Sequence, residues 1–184
     1  MNEIKKIFRE IIPVIIGILI ALFINNWNED RKEKIYLSKI LTSIEFELKE
    51  THHDIDSIMA LQYALIDTLE LYLEDENISL QDIMGKTNGV SIPIIRIYSW
   101  KALSNSRIEL LPYNDLSTLA NIEEDKELLN DKSKYLMNFL YNNIAKSGRY
   151  EKGILTSLMT DVISTESSIL LGVDELSKSI KDNN

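Results

Sequence analysis

Three hydrophobic patterns follow one another along the 184 residues. The first is continuous: from Ile11 to Ile24 no side chain is polar. As a helix rising about 1.5 Å per residue, this run reaches roughly 21 Å, short of the ~30 Å hydrocarbon core of a bilayer. The flanks lengthen it. Ile7 to Trp27 reaches about 31 Å, with Arg9 and Glu10 able to snorkel and Trp27 placed where an interfacial aromatic belongs. Asn25-Asn26-Trp27 follows the run and offers no small-x-small cleavage site. The expectation is an uncleaved membrane helix over 11–27, preceded by a short basic N-terminus over 1–10, rather than a signal peptide or a buried core helix.

The second pattern has a seven-residue period. Leu37, Ile44, Thr51, Ile58, Leu65 and Tyr72 fall at one heptad position, and Leu41, Leu48, Ile55, Gln62, Leu69 and Glu76 at its partner. Three of these are polar: Thr51, Gln62 and Glu76. No Gly or Pro interrupts residues 18 to 84, so the membrane helix is expected to run on into a stalk helix over 28–76. Ile40, Met59, Leu61, Ile66 and Leu73 widen the stripe beyond a two-stranded seam. That favours folding against later helices of the same chain over coiling with a second copy.

Residues 77–112 break the periodicity. Ser79 to Met84 predicts a short helix stopping at Gly85, with a turn from Gly85 to Gly89. Val90 to Tyr98 is β-branched but contains Pro93, which limits it to an edge strand or an extended loop. A further short helix is expected near Trp100 to Ser104. The third pattern then begins, with 3–4 spacing. One helix, capped by Asn114 after Pro112, carries Leu116, Leu119, Ile122, Leu128, Leu129, Tyr135, Leu136, Phe139, Leu140 and Ile144. A second carries Ile154, Leu155, Leu158, Met159, Val162, Ile163, Ile169, Leu170, Val173, Leu176 and Ile180, interrupted only by Gly172. Joined at Ala145–Tyr150, they form an antiparallel hairpin over 113–184, with a frayed tail from Lys181 to Asn184. The predicted fold is all-α: one N-terminal transmembrane helix continuing into a long helix packed with an antiparallel helical hairpin.

Charge sharpens the division. Lys5, Lys6 and Arg9 against Glu3 and Glu10 leave residues 1–27 at +1, so the rest carries −10 of the net −9. An acidic domain argues against nucleic acid as a partner. The chain has no cysteine, which excludes disulfides, thiol nucleophiles and Cys-ligated metals. Its only histidines, His52 and His53, stand near Asp54 and Asp56; two ligands on one helix make no metal site, and these read as a solvated face. Ser164 to Ser168 reads as small polar surface. The acidic runs at Glu70–Glu76 and Glu123–Glu127 read as solvating, and one or two of Arg96, Arg107 and Arg149 are expected to pair internally. No catalytic constellation, cofactor site or metal site is expected, and the chain is not read as an enzyme.

Two features point to association. Pro13, Gly17, Ala21 and Asn25 recur at i+4 on one face, and Gly17-x-x-x-Ala21 lets helix backbones approach closely in a bilayer, with Pro13 in the first turn of the span. Tyr98, Trp100 and Tyr113 lie in or beside the irregular region as a candidate partner surface, although Trp100 plugging the bundle is the favoured reading.

The stretch Gly17-Ile-Leu-Ile-Ala21 followed by Ile24-Asn-Asn-Trp-Asn-Glu29 and Arg31-Lys32 resembles the uncharacterised single-span membrane proteins of Bacteroidota. These carry a pattern like GILIALQINNWNE after a short basic N-terminus. Phe23 stands where that family carries Gln. Trp100, Leu103 and the Ser104–Ser106 turn give a looser echo. The resemblance implies location and architecture, not an activity. Three positive residues flank each end of the span, so the charge rule is tied. The short N-terminus then places itself in the cytoplasm and the domain in the periplasm, from a bacterial inner-membrane anchor. The expected partners are the lipid bilayer and either a second copy or another membrane protein. The expected role is an oligomeric scaffold or accessory subunit of a membrane complex. The alternative is a ligand or stress sensor using residues 77–112.

Overall fold

The computed structural model describes the backbone of residues 2–182 and the side chains of residues 11–182. The basic N-terminus read over 1–10 rests on side chains outside that range, and Asn183 and Asn184 of the tail also lie outside the described residues. Five α-helices are present: α1 (Asn2–Leu71), α2 (Leu80–Thr87), α3 (Tyr98–Ser104), α4 (Tyr113–Asn143) and α5 (Arg149–Asp182). A 3-10 turn occupies Ile108–Leu110, and no strand occurs among the described residues. The chain divides between Thr42 and Ser43 into two compact units.

In the first unit the apolar run is one unbroken stretch of α1. Its large apolar side chains are all exposed, from 47% at Ile12 to 73% at Phe23. Pro13 lies well inside α1 rather than in its first turn, because the helix begins at Asn2. Its ring therefore removes a donor from the helix interior, where the carbonyl four residues back loses its partner. Asn25 donates to Glu29 Oε1 at 3.2 Å, so its amide is already engaged along its own helix.

The second unit is a three-helix core crossed by a strap. From α1 it buries Ile44, Leu48, Thr51, Ile55, Gln62, Leu65 and Leu69, the heptad positions of the sequence pattern. The chain covers its own seam. Each fully buried Leu or Ile there contributes about 1.5–3 kcal/mol. Helix α5 runs antiparallel to α1, since Gln62 meets Glu166 and His52 meets Asp174. It is antiparallel to α4 as well, through Lys132–Asp161, Asp125–Ser168 and Asp115–Ser179. Backbone bonds from Leu80 N to Lys146 O and from Gln81 N to Ile144 O set the start of α2 beside the end of α4. Residues 88–97, the strap, then return along α1 in the opposite sense, and α4 sets out again parallel to it.

The boundaries differ from the expectations in instructive ways. α1 ends at Leu71, short of residue 76. α2 runs through Gly85 to Thr87, because a reciprocal capping box between Ser79 and Asp82 secures its start and Asn88 ends it in a left-handed conformation (φ 60°). Gly89 follows at φ 80°, so the turn begins three residues later than the glycine pattern implied. Pro112 rather than Asn114 occupies the N-cap of α4, with no side-chain cap bond. Residues 90–97 carry no ladder: Pro93, Ile95 and Ile97 are buried in alternation and no neighbouring strand exists among the described residues to pair with them. Within Ser164–Ser168, Thr165 and Glu166 are core residues rather than surface, Glu166 fully buried.

Candidate functional site

The chemistry of the second unit gathers where the strap meets the α1 seam. Thr51, polar at an otherwise apolar register position, pairs with the strap backbone in both directions. Its Oγ1 accepts from Arg96 N at 2.9 Å and donates to Arg96 O at 3.4 Å. The Arg96 guanidinium reaches Asp54 Oδ2 at 2.6 Å, an ion pair that raises the guanidinium above its ordinary range. One turn nearer the start of α1, Glu47 accepts from Ser99 N at 3.1 Å and from Ser99 Oγ at 2.7 Å. It thereby supplies from another helix the N-terminal acceptor that Ile97, the N-cap of α3, lacks.

The second polar seam residue, Gln62, does the same at the other end of the strap. Its Nε2 donates to Ser91 O at 3.0 Å and to Glu166 Oε1 at 2.8 Å. Glu166 stands in the α5 stripe between Ile163 and Ile169. Burial pushes its carboxyl up to about 7, with the Gln62 bond opposing that shift. The strap is thus held by alternate apolar plugs and by two polar anchors spaced along one helix.

Thr51→Val keeps the shape and removes both strap bonds. It is expected to destabilise the second unit by about 1–2 kcal/mol through the unpaired Arg96 N–H. Amide exchange at Arg96 should rise by the same factor; unchanged exchange there would mean that the anchor is decorative.

The remaining sequence-marked residues are scattered. His52 Nδ1 lies 3.0 Å from Asp56 and its Nε2 lies 3.4 Å from Asp174, both carboxylates exposed. This cluster borders a surface groove of about 320 Å³ with Glu45, Lys49 and Lys181. Among the described residues no group of three or more His, Asp or Glu is arranged to hold a metal ion. Trp100 is 4% exposed, and its indole N–H donates to Glu123 Oε2 at 2.8 Å, so it is core rather than contact surface. Tyr98 and Tyr113 are exposed at 63% and 80%. Tyr98 borders a cavity of about 280 Å³ with Lys101, Glu123 and Lys126. There Lys126 Nζ lies 5.3 Å from the Tyr98 ring centre, and burial holds its ammonium below the usual range. Arg96, Arg107 and Arg149 each form an ion pair, with Asp54, Glu109 and Glu74. Pro13, Gly17, Ala21 and Asn25 lie in the first unit, where a Cβ added at Gly17 would meet nothing within 4 Å. Trp27 is 60% exposed.

Residues 10–94 match the model of DUF6090, a family of unknown function. The matched stretch holds the apolar run, the seam with Thr51 and Gln62, and the strap as far as Ile94. Arg96, Lys152 and Glu166 lie beyond it. No curated protein and no solved structure matches the chain.

Sequence reasoning missed Glu166 and Lys152. Both occupy positions three or four residues from apolar members of the α5 stripe, Lys152 from Leu155 and Glu166 from Val162, Ile163 and Ile169. That in-register placement is the signal that could have found them.

Proposed function

We propose that this chain is a membrane-anchored helical association module, a scaffold or accessory subunit of a membrane complex. In this reading it is a single-span protein of the Bacteroidota type that its anchor motif resembles. The N-terminus lies in the cytoplasm, and the strapped bundle stands in the periplasm. The observation that carries the reading is the exposed apolar surface of α1 from Ile11 to Ile24, a larger contiguous patch than a water-soluble domain tolerates. Two helices are long and apolar enough to cross a membrane. The α5 stretch supplies the bundle core, which leaves the N-terminal one for lipid.

Association then runs through the bilayer face. The heptad seam from Ile44 to Leu69 is occupied by the chain's own α5 and strap, so it is closed to a second copy in the folded protein. Gly17 and Ala21 leave room for a neighbouring backbone. Gly17→Leu combined with Ala21→Leu is expected to convert an oligomer or mixed complex into single chains in native mass spectrometry of the gently solubilised protein. An unchanged mass distribution would remove this face from the mechanism. Orientation has a clean test because the chain lacks cysteine. A Ser57→Cys variant should react with a membrane-impermeant maleimide in intact cells; protection until lysis would place the domain on the cytoplasmic side.

A further inference from the structure

Among the described residues, two buried side-chain oxygens have no hydrogen-bond partner, and they belong to one pair of residues: Gln62 Oε1 and Glu166 Oε2. The Gln62 amide spends its donors on Glu166 Oε1 and on the Ser91 carbonyl. An amide oxygen only accepts, and so does an ionised carboxylate. With Glu166 ionised, this buried site would therefore hold two acceptors with no protein donor for either, and a charge with no counter-ion. A proton on Glu166 Oε2 would supply the missing donor: the acid O–H would serve Gln62 Oε1 while the amide N–H donates to Glu166 Oε1 at 2.8 Å, a reciprocal acid–amide pair.

We propose that Glu166 is carried in the folded protein as a neutral acid bonded reciprocally to Gln62, and that this proton latches the strap to the bundle as a pH-sensitive switch.

The surroundings support a neutral acid. On α4, Lys132 is committed to Asp161 and Thr165, and Asp125 accepts from Ser168. On the strap, Arg96 is committed to Asp54 of α1. The strap meets Gln62 with a neutral carbonyl, and α1 offers Glu166 the Gln62 amide. On α5 the acids flanking Glu166 in sequence are Asp161, paired with Lys132, and Asp174, 3.4 Å from His52 Nε2. Burial accordingly raises the Glu166 carboxyl to about 7 from an ordinary value of 4.5. Its folded value thus lies above its unfolded one, so folding takes up a proton between the two. The contribution to stability is complete below about 4.5, falls as pH rises to about 7, and is level beyond. Across that window the unfolding constant should rise up to about tenfold per pH unit. Because Gln62 also holds Ser91, the strap is the element released when the pair opens.

The test uses the full chain in detergent micelles. Infrared difference spectra of the wild type against Glu166→Gln, at about pH 6, should show a protonated carboxyl band that titrates near neutrality. Glu166→Gln keeps both bonds of the pair with an amide, so it should flatten the pH dependence of unfolding. It should also flatten strap amide exchange once intrinsic exchange is corrected for. A spectrum showing only carboxylate at about pH 6, or a Glu166→Gln protein as pH-dependent as the wild type, would overturn the proposal. Should Glu166→Gln fail to fold, the isotope-edited infrared titration of wild-type glutamate carboxyls decides alone: a carboxyl titrating near neutrality supports the latch, and none overturns it. The outcome is independent of the anchor's role in association.

Discussion

Lys152→Met is expected to lower the stability of the full chain by about 2–4 kcal/mol in denaturant titration, with little change in helical content of the folded form. Lys152 is fully buried near the start of α5, and its ammonium donates to Tyr72 O at 2.8 Å and to Asp75 O at 2.7 Å. Those carbonyls lie just past the end of α1, where each accepts one backbone N–H of the following turn and has a lone pair left for the ammonium. A cation at that end also meets the negative pole of the helix. Methionine fills similar space, so packing is preserved and the loss isolates the two bonds. Each carbonyl keeps one backbone donor, Asp75 N on Tyr72 O and Ile78 N on Asp75 O at 3.2 Å, so the loss is that of two charge-assisted bonds at about 1.5–3 kcal/mol each, offset in part because a charge no longer has to be desolvated. A change below about 0.5 kcal/mol would show that water replaces the ammonium freely.

Gly172→Leu is expected to be at least as damaging, about 3 kcal/mol or more. A Cβ at Gly172 would lie 2.9 Å from Ile122 Cγ1 and 3.4 Å from its Cδ1. Ile122 is 1% exposed and cannot swing into solvent. Gly172→Ala separates two opposed effects. Helix propensity alone would stabilise by about 1 kcal/mol, whereas overpacking costs about 1–3 kcal/mol. Overpacking should win, because the contact is with a confined side chain. Combining either change with Ile122→Ala should give a loss smaller than the sum of the single losses, the signature of a shared contact. Additive losses would mean that the two helices do not approach at this point as described.

What the sequence made legible follows from the range of the interactions. The heptad register depends on neighbours one or two turns away, and from Ile44 to Leu69 the fold buries every position of it except the half-buried Ile58. The hairpin is likewise written in 3–4 spacing and a short connection. Thr51 and Gln62 stood out as polar interruptions of the seam, but their partners did not. Gln62 meets Glu166 across 104 residues, and Lys152 reaches Tyr72 across 80. Such pairs leave only a faint local mark, a charged residue in step with an apolar stripe. Flanking Ser and Thr disguised Glu166 as surface, because hydroxyl side chains in a helix satisfy themselves on the preceding turn, as Ser167 does on Ile163 O at 2.8 Å. The aromatic trio was split for a similar reason. Whether Trp100 turns inward depends on Glu123, which lies on a helix that has not yet begun at Trp100.

That α5 follows every element it packs against has a consequence for biosynthesis. Tyr72 leaves the ribosome 80 residues ahead of Lys152. At about 5–20 residues per second, translation leaves the α1 seam waiting roughly 4–16 seconds for its permanent cover. During that interval the nascent chain displays a heptad stripe suited to pairing with another nascent copy of itself. Arrival of α5 ends the competition, so this late helix also decides whether the seam is spent within one chain or shared between two.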